Sequence, residues 1–132
     1  MATEPTWLNR AIVEALHADQ IVEHGGSLGV RDEALLESAI ARPQHKWHYD
    51  SNTDLAVLAA AYGFGIAKNH PFVDGNKRAA LVAAYTFLAI NGFELEASEP
   101  ETVTVIVGAA DGSISEEDLA SWIRDHLIPW QD

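Results

Sequence analysis

The chain has 132 residues, 48% of them apolar, with 20 Asp and Glu against 8 Lys and Arg, for a formal net charge of −12. That length suits one domain over residues 1–132, with enough chain to bury a core of its own. The acidic balance argues against direct nucleic-acid binding, which needs clustered cations. The lack of cysteine excludes disulfides, zinc–thiolate sites and thiol nucleophiles.

In chain order, residues 9–24 form the first predicted helix. Ile12, Leu16 and Val22, with Val13, Ala15 and Ile21 beside them, make its apolar stripe, and Gly25-Gly26 ends it. Leu8 and its neighbours are also compatible with a short strand. A second helix is expected over residues 32–41, with acidic residues in its first turn and Pro43 just past its end. Residues 43–52 carry no apolar periodicity and read as an exposed loop. Residues 53–68 are apolar nearly all round, the pattern of a buried central helix. Gly63 and Gly65 weaken it by up to about 1 kcal/mol each relative to Ala, a cost that makes sense where another helix comes close. After a polar loop, residues 76–90 form a second such helix, with Leu81, Val82, Tyr85, Phe87 and Leu88, stopped by Asn91-Gly92. Ser98-Glu99-Pro100-Glu101 fits a capping box with Pro in the first turn and opens a helix through Val107. Ser115-Glu116-Glu117-Asp118 opens the last, which runs through Leu127 and ends before Pro129. The expected fold is all-α, about six helices with almost no strand, built on two central helices joined by a polar loop. No apolar stretch reaches the roughly 20 residues of a membrane helix. The start, Met1-Ala2-Thr3-Glu4-Pro5, lacks the basic and apolar regions of a signal peptide, so a soluble, cytoplasmic protein without a membrane partner is expected.

The loop between the central helices carries the chemistry. It reads Asn69-His70-Pro71-Phe72-Val73-Asp74-Gly75-Asn76-Lys77-Arg78. A helix start offers free N–H groups and the positive end of the macrodipole, a ready anion site. Asp74-Gly75-Asn76 supplies a turn in which Gly lets the backbone approach a ligand closely. Lys77 and Arg78 are misplaced for helix stability, since cations there meet the positive dipole end. The misfit is resolved if a polyanion such as a triphosphate sits between them and the amides. Three of the eight cations (Lys68, Lys77 and Arg78) fall within eleven positions, either by chance or to hold a local anion. Asp74 beside a phosphate site suits Mg²⁺, a hard cation that shares phosphate oxygens. His70 suits a general base for a hydroxyl nucleophile. Singly, each residue has a duller reading: His70 as a turn residue before Pro71, Asp74 or Asn76 as a helix cap, Lys77 and Arg78 as solvated charges. Over nine consecutive positions, one phosphate site explains them better.

These residues resemble the signature of the Fic/Doc family, H-x-F-x-[DE]-G-N-G-R-x-x-R. Lys77 in place of the second Gly resembles the Doc (death-on-curing) branch, the toxin half of bacterial toxin–antitoxin pairs. Gly29-Val30-Arg31-Asp32 and Leu36-Glu37-Ser38-Ala39-Ile40-Ala41-Arg42-Pro43 are similar to the upstream segment of such toxins. The resemblance implies a compact six-helix bundle with the active-site loop between its two central helices. It implies His70 as the catalytic base, Asp74 as the Mg²⁺ ligand, Gly75 and Asn76 as the anion cradle, and Arg78, with Lys77 beside it, at the phosphates of ATP. It places residues 43–52, with Trp47 and Tyr49, at the family's flap, which positions the target. The position of the family's second Arg is Leu81, and the second Gly is Lys77. Both departures favour the Doc reading, in which the γ-phosphate of ATP goes to a Ser or Thr of a protein, elongation factor Tu being the expected target. The alternatives are a Fic-type AMP transferase and a non-catalytic helical binding domain. The self-inhibitory pattern [ST]-x-x-x-E-[GN] is approached only by Ser113 and Glu117, with Asp118 where Gly or Asn is required. Inhibition is therefore expected from a separate antitoxin chain folding onto an apolar groove. His45, His48 and Tyr49 would suit a metal only on a helix, whereas His17, His24 and His126 suggest ordinary surface or cap roles.

Overall fold

The computed structural model describes residues 3–131. Six helices follow one another: α1 (Arg10–His24), α2 (Glu33–Tyr49), α3 (Leu55–Asn69), α4 (Asn76–Ile90), α5 (Glu99–Asp111) and α6 (Glu116–Asp125). Two three-residue strands, β1 (Phe93–Leu95) and β2 (Leu127–Pro129), pair antiparallel with Glu94 opposite Ile128. The all-α expectation holds, and the bounds of α4 coincide with the predicted ones.

α3 is the central element and packs against α2, α4, α5 and α6. Ala56, Ala59, Ala60, Ala61 and Ala67 are all buried along it, as are Leu58, Tyr62 and Ile66. Small residues let its neighbours approach. A Cβ added at Gly65 would lie 3.2 Å from the Ala39 Cβ on α2, and one at Gly63 would lie 3.7 Å from the Ala84 Cβ on α4. α4 returns the same surface, burying Ala79, Ala80, Ala83 and Ala84 with Phe87 and Leu88. It is not apolar-buried all round, because Leu81, Val82 and Tyr85 are only half-buried on its other side.

Three further expectations are corrected. α2 does not stop at residue 41; it runs through Pro43 to Tyr49, so residues 43–49 are helix rather than loop. Proline inside a helix costs about 3 kcal/mol, and here tertiary contacts offset it. The Pro43 ring is fully buried, Arg42 and Lys46 pair with Glu116 of α6, and Trp47 meets Trp7 edge-on at 6.3 Å. The buried stripe of α1 is Val13, His17 and Ile21, not Ile12, Leu16 and Val22, of which Val22 is 85% exposed. Residue 127 lies in β2 rather than in the last helix, while α5 continues past Val107 to Asp111.

Leu8 is not in a strand. Its side chain is fully buried, and its backbone is held by Tyr62. The Tyr62 hydroxyl accepts the Leu8 N–H at 3.0 Å and donates to the Leu8 carbonyl at 3.3 Å. Burial pushes the Tyr62 phenol up to about 12. Tyr62→Phe leaves both Leu8 groups buried without partners, so urea unfolding should show a loss of about 1–3 kcal/mol with an unchanged helical spectrum.

Candidate active site

Residues 70–75 join α3 to α4 without regular structure, so their shape is set by what their backbone bonds to. Arg31 donates through Nε to the His70 carbonyl at 2.7 Å and through Nη2 to the Asn69 carbonyl at 2.9 Å. The N–H groups of Arg31 and Asp32 both donate to the Pro71 carbonyl, at 2.7 and 3.1 Å. Asn76 Oδ1 accepts the Phe72 N–H at 2.9 Å, and Asn76 Nδ2 donates to the Phe72 carbonyl at 3.0 Å. The Val73 N–H donates to the Gly29 carbonyl at 3.0 Å, beside an antiparallel bridge between Val30 and Phe72. His17 Nε2 lies 2.8 Å from the Asp74 carbonyl. Of the carbonyls from residue 69 to residue 74, only that of Val73 lacks a hydrogen bond among those described.

His70 is exposed and ends α3 in the left-handed conformation, φ 50 and ψ 57, the one non-glycine residue of positive φ among the described residues. That conformation costs about 1 kcal/mol or more outside glycine. The two Arg31 bonds, a cation on carbonyls at a helix C-terminus, are the favourable contacts that hold it.

α4 starts differently from every other helix. Asn9, Asp32, Asp54, Ser98 and Ser115 each cap a helix by accepting a backbone N–H, whereas the N-cap of α4 is Gly75, which has no side chain to do so. The first N–H of α4 to bond backwards is that of Ala79, to the Gly75 carbonyl at 2.9 Å. The N–H groups of Asn76, Lys77 and Arg78 are therefore left for a ligand or solvent. Lys77 and Arg78 are exposed, and neither makes an ion pair among the described residues, whereas Arg10, Arg42, Lys46 and Arg124 all do. The Arg78 guanidinium only touches the Gly25 carbonyl, at 3.5 Å.

Asp74 is exposed, and its Oδ2 accepts one hydrogen bond, from the Ser27 N–H at 3.2 Å. No group of three or more His, Asp or Glu side chains that could hold a metal occurs among the described residues. One exposed carboxylate suits Mg²⁺ as an ion that arrives with other oxygen ligands such as phosphates, since that ion keeps waters and shares phosphate oxygens. The donor set fits Mg²⁺ in that form.

His70, Asp74, Gly75, Lys77 and Arg78 thus share one turn, as expected. Asn76 is there too, but its side chain is buried on Phe72, so only its backbone N–H can serve an anion. Trp47 and Tyr49 are not brought to this turn. Trp47 packs near Trp7, which stacks on Phe87 at 5.9 Å. Phe87 lies about 16 Å along α4 from Asn76 at 1.5 Å per residue. Tyr49 is 94% exposed on the same α2 end. The segment that does border the turn is residues 25–32, through Gly25, Ser27, Gly29, Val30, Arg31 and Asp32. His45 and His48 lie on helix, but among the described residues no group of three His, Asp or Glu side chains that could hold a metal includes them. A groove of about 580 Å³ leads away from Arg78, walled by Leu81, Val82 and Tyr85 of α4, His24 of α1 and Val103 of α5.

Two contributors escape a reading of the sequence. Arg31 is one charge in a Gly-rich connection, and His17 looks like a surface residue of an amphipathic helix. The one signal for His17 is its spacing, four residues from both Val13 and Ile21, on the face that turns out to be buried.

The model of the Fic/DOC family matches residues 7–88. The chain is similar to "Protein kinase doc" of Escherichia phage P1, 40% identical over 110 residues, 83% of this chain and 86% of that protein. It is also similar to "Toxin Doc" of Mycolicibacterium smegmatis, 49% identical over 77 residues, 58% of this chain and 59% of that protein.

Removing the Asn76 side chain strands the Phe72 N–H and carbonyl in the core. Asn76→Ala should therefore lower stability by about 1–3 kcal/mol in urea unfolding. Faster amide hydrogen exchange at Phe72 would locate the loss in the turn.

Proposed function

The chain belongs to the Fic/DOC family, and on that premise we propose that it is a Doc-type toxin that transfers the γ-phosphoryl group of ATP to a Ser or Thr hydroxyl of a protein. Elongation factor Tu is the proposed target. The observation that carries the reading is Lys77 and Arg78, two cations without ion-pair partners at the one helix start without a side-chain cap, in a chain of net charge −12. So acidic a protein has carboxylates to pair with both. Leaving them unpaired beside bare amides supports a phosphate ligand.

The chemistry assigned to the chain is positioning and charge neutralisation, as phosphoryl transfer requires. His70, exposed on its rigid turn, accepts the proton of the target hydroxyl as the new O–P bond forms. The bond from the γ-phosphorus to the bridging oxygen breaks at the same centre, and ADP leaves. Lys77, Arg78 and the N–H groups of Gly75, Asn76 and Lys77 hold the phosphates. Asp74 would hold Mg²⁺, whose chemistry there is to neutralise phosphate charge. Leu81 in place of a second Arg, and Lys77 in place of a Gly, favour γ-phosphoryl over AMP transfer. The name of the phage P1 relative points the same way.

We further propose an antitoxin partner that lays an apolar helical segment carrying basic residues into the groove of Leu81, Val82, Tyr85 and Val103. The acidity of this chain complements such a segment.

With γ-labelled ATP, a bacterial extract should show one protein labelled, gaining about 80 Da; a gain of about 329 Da, seen with α-labelled ATP, would replace the kinase by AMP transfer. His70→Ala should lower labelling by about a hundred- to ten-thousand-fold, the range for loss of a general base. Growth arrest unchanged by His70→Ala would favour the non-catalytic binding domain. Val103→Glu should abolish neutralisation by the antitoxin while leaving labelling within about twofold, since it opposes apolar docking from α5, not from the helix that carries Lys77 and Arg78.

A further inference from the structure

We infer that His17 is a positioning residue for the phosphate-binding turn: by holding the Asp74 carbonyl inward, it directs the Gly75 N–H outward to the phosphates. The inference rests on the function proposed above and assigns that site a further member, outside its own loop.

His17 is 3% exposed, on the buried stripe of α1 between Val13 and Ile21. Packing alone would be satisfied there by an apolar residue, and a buried polar ring needs a polar reason. Its partner is the Asp74 carbonyl, 2.8 Å from Nε2. A carbonyl only accepts, so Nε2 carries the proton and donates. The ring is fixed by Phe72 on one face and close to Gly75 at its Nε2 edge. It stacks on Phe72 with centroids 3.8 Å apart and planes 4° from parallel, and a Cβ at Gly75 would lie 3.7 Å from Nε2.

The consequence follows from peptide geometry. In a planar trans peptide the C=O and the following N–H point in opposite directions, and no cis bond occurs among the described residues. A carbonyl of Asp74 fixed on His17 therefore sends the N–H of Gly75 away from α1. Glycine makes this a choice rather than a necessity. Gly75 sits at φ 71, and a glycine tolerates both signs of φ. The Asp74–Gly75 peptide can then rotate as a unit at little steric cost. Rotated, it would present a carbonyl, with its partial negative charge, where the first phosphate donor belongs. The hydrogen bond from His17 selects the donor orientation before any ligand arrives, which is preorganisation of the anion site.

Three substitutions test it. His17→Gln keeps a side-chain N–H at about the reach of Nε2, His17→Asn keeps the amide but falls short, and His17→Leu keeps only bulk. With Mg²⁺ and a non-hydrolysable ATP analogue, His17→Asn and His17→Leu should weaken binding about tenfold, the loss of one well-placed hydrogen bond. His17→Gln should stay within about threefold of the unsubstituted chain. In the nucleotide-free ¹⁵N-labelled protein the Gly75 amide peak should be single in the unsubstituted chain and in His17→Gln, and split or broadened in His17→Asn. If His17→Leu does not fold, the Asn and Gln pair decides alone. Equal nucleotide binding by folded Asn and Gln variants, or a Gly75 peak unchanged by His17→Asn, overturns the inference. If the unsubstituted chain binds no nucleotide, the proposed function fails, and the Gly75 peaks still decide whether His17 sets that peptide.

Discussion

A helix that begins without a side-chain cap leaves its first N–H groups unsatisfied, and among the six helices only α4 begins that way. Such a start is unfavourable for the fold, and placing Lys77 and Arg78 on it adds electrostatic cost at the positive dipole end. Much of the surrounding structure is organised to keep that end open and fixed. Asn76 does not fold back as a cap but turns its amide on the backbone of Phe72. Gly75 occupies the cap position with nothing to offer.

Rigidity of the turn comes from three directions. Arg31 reaches across from the connection between α1 and α2, Asn76 from the helix that follows, and His17 from α1. The aromatic ring of Phe72, 1% exposed, is the pin around which these bonds are arranged. Behind the turn, α3 and α4 meet through alanines and a glycine, so the two helices that carry it are held close with few rotamers to disorder them. The strain of a left-handed His70 is therefore borne by a scaffold with little room to relax it.

Ion pairing sets the start of α4 apart from the helices around it. Four cations elsewhere make ion pairs that tie helices together: Arg10 on Glu33 and Glu37, Arg42 and Lys46 on Glu116, and Arg124 on Asp54; Arg31 instead donates to the carbonyls of Asn69 and His70. Those pairs are mostly exposed, so each contributes little to stability. The interest of the ion pairs lies in contrast, because the two cations at the α4 start have no such partner among the described residues.

Local signals in the sequence carried the helices. Ser98 and Ser115 cap where their spacing to the following acidic residues placed them, and α4 runs from Asn76 to Ile90 between a Gly-Asn start and an Asn-Gly stop. The His70 to Arg78 turn was legible for the same reason: its chemistry-bearing residues are consecutive. Tertiary structure decided what depends on distant partners. Pro43 stays helical because α6 and Trp7 hold the turn beyond it, so the helix that carries Trp47 and Tyr49 could not be read from pattern. The buried face of α1 passes through a histidine, which periodicity counts as polar. His17 and Asp74 stand 57 residues apart, and Arg31 and His70 stand 39 apart. A hydrogen bond across such a separation leaves no mark in either local sequence, because the bond exists only once packing has brought donor and carbonyl together.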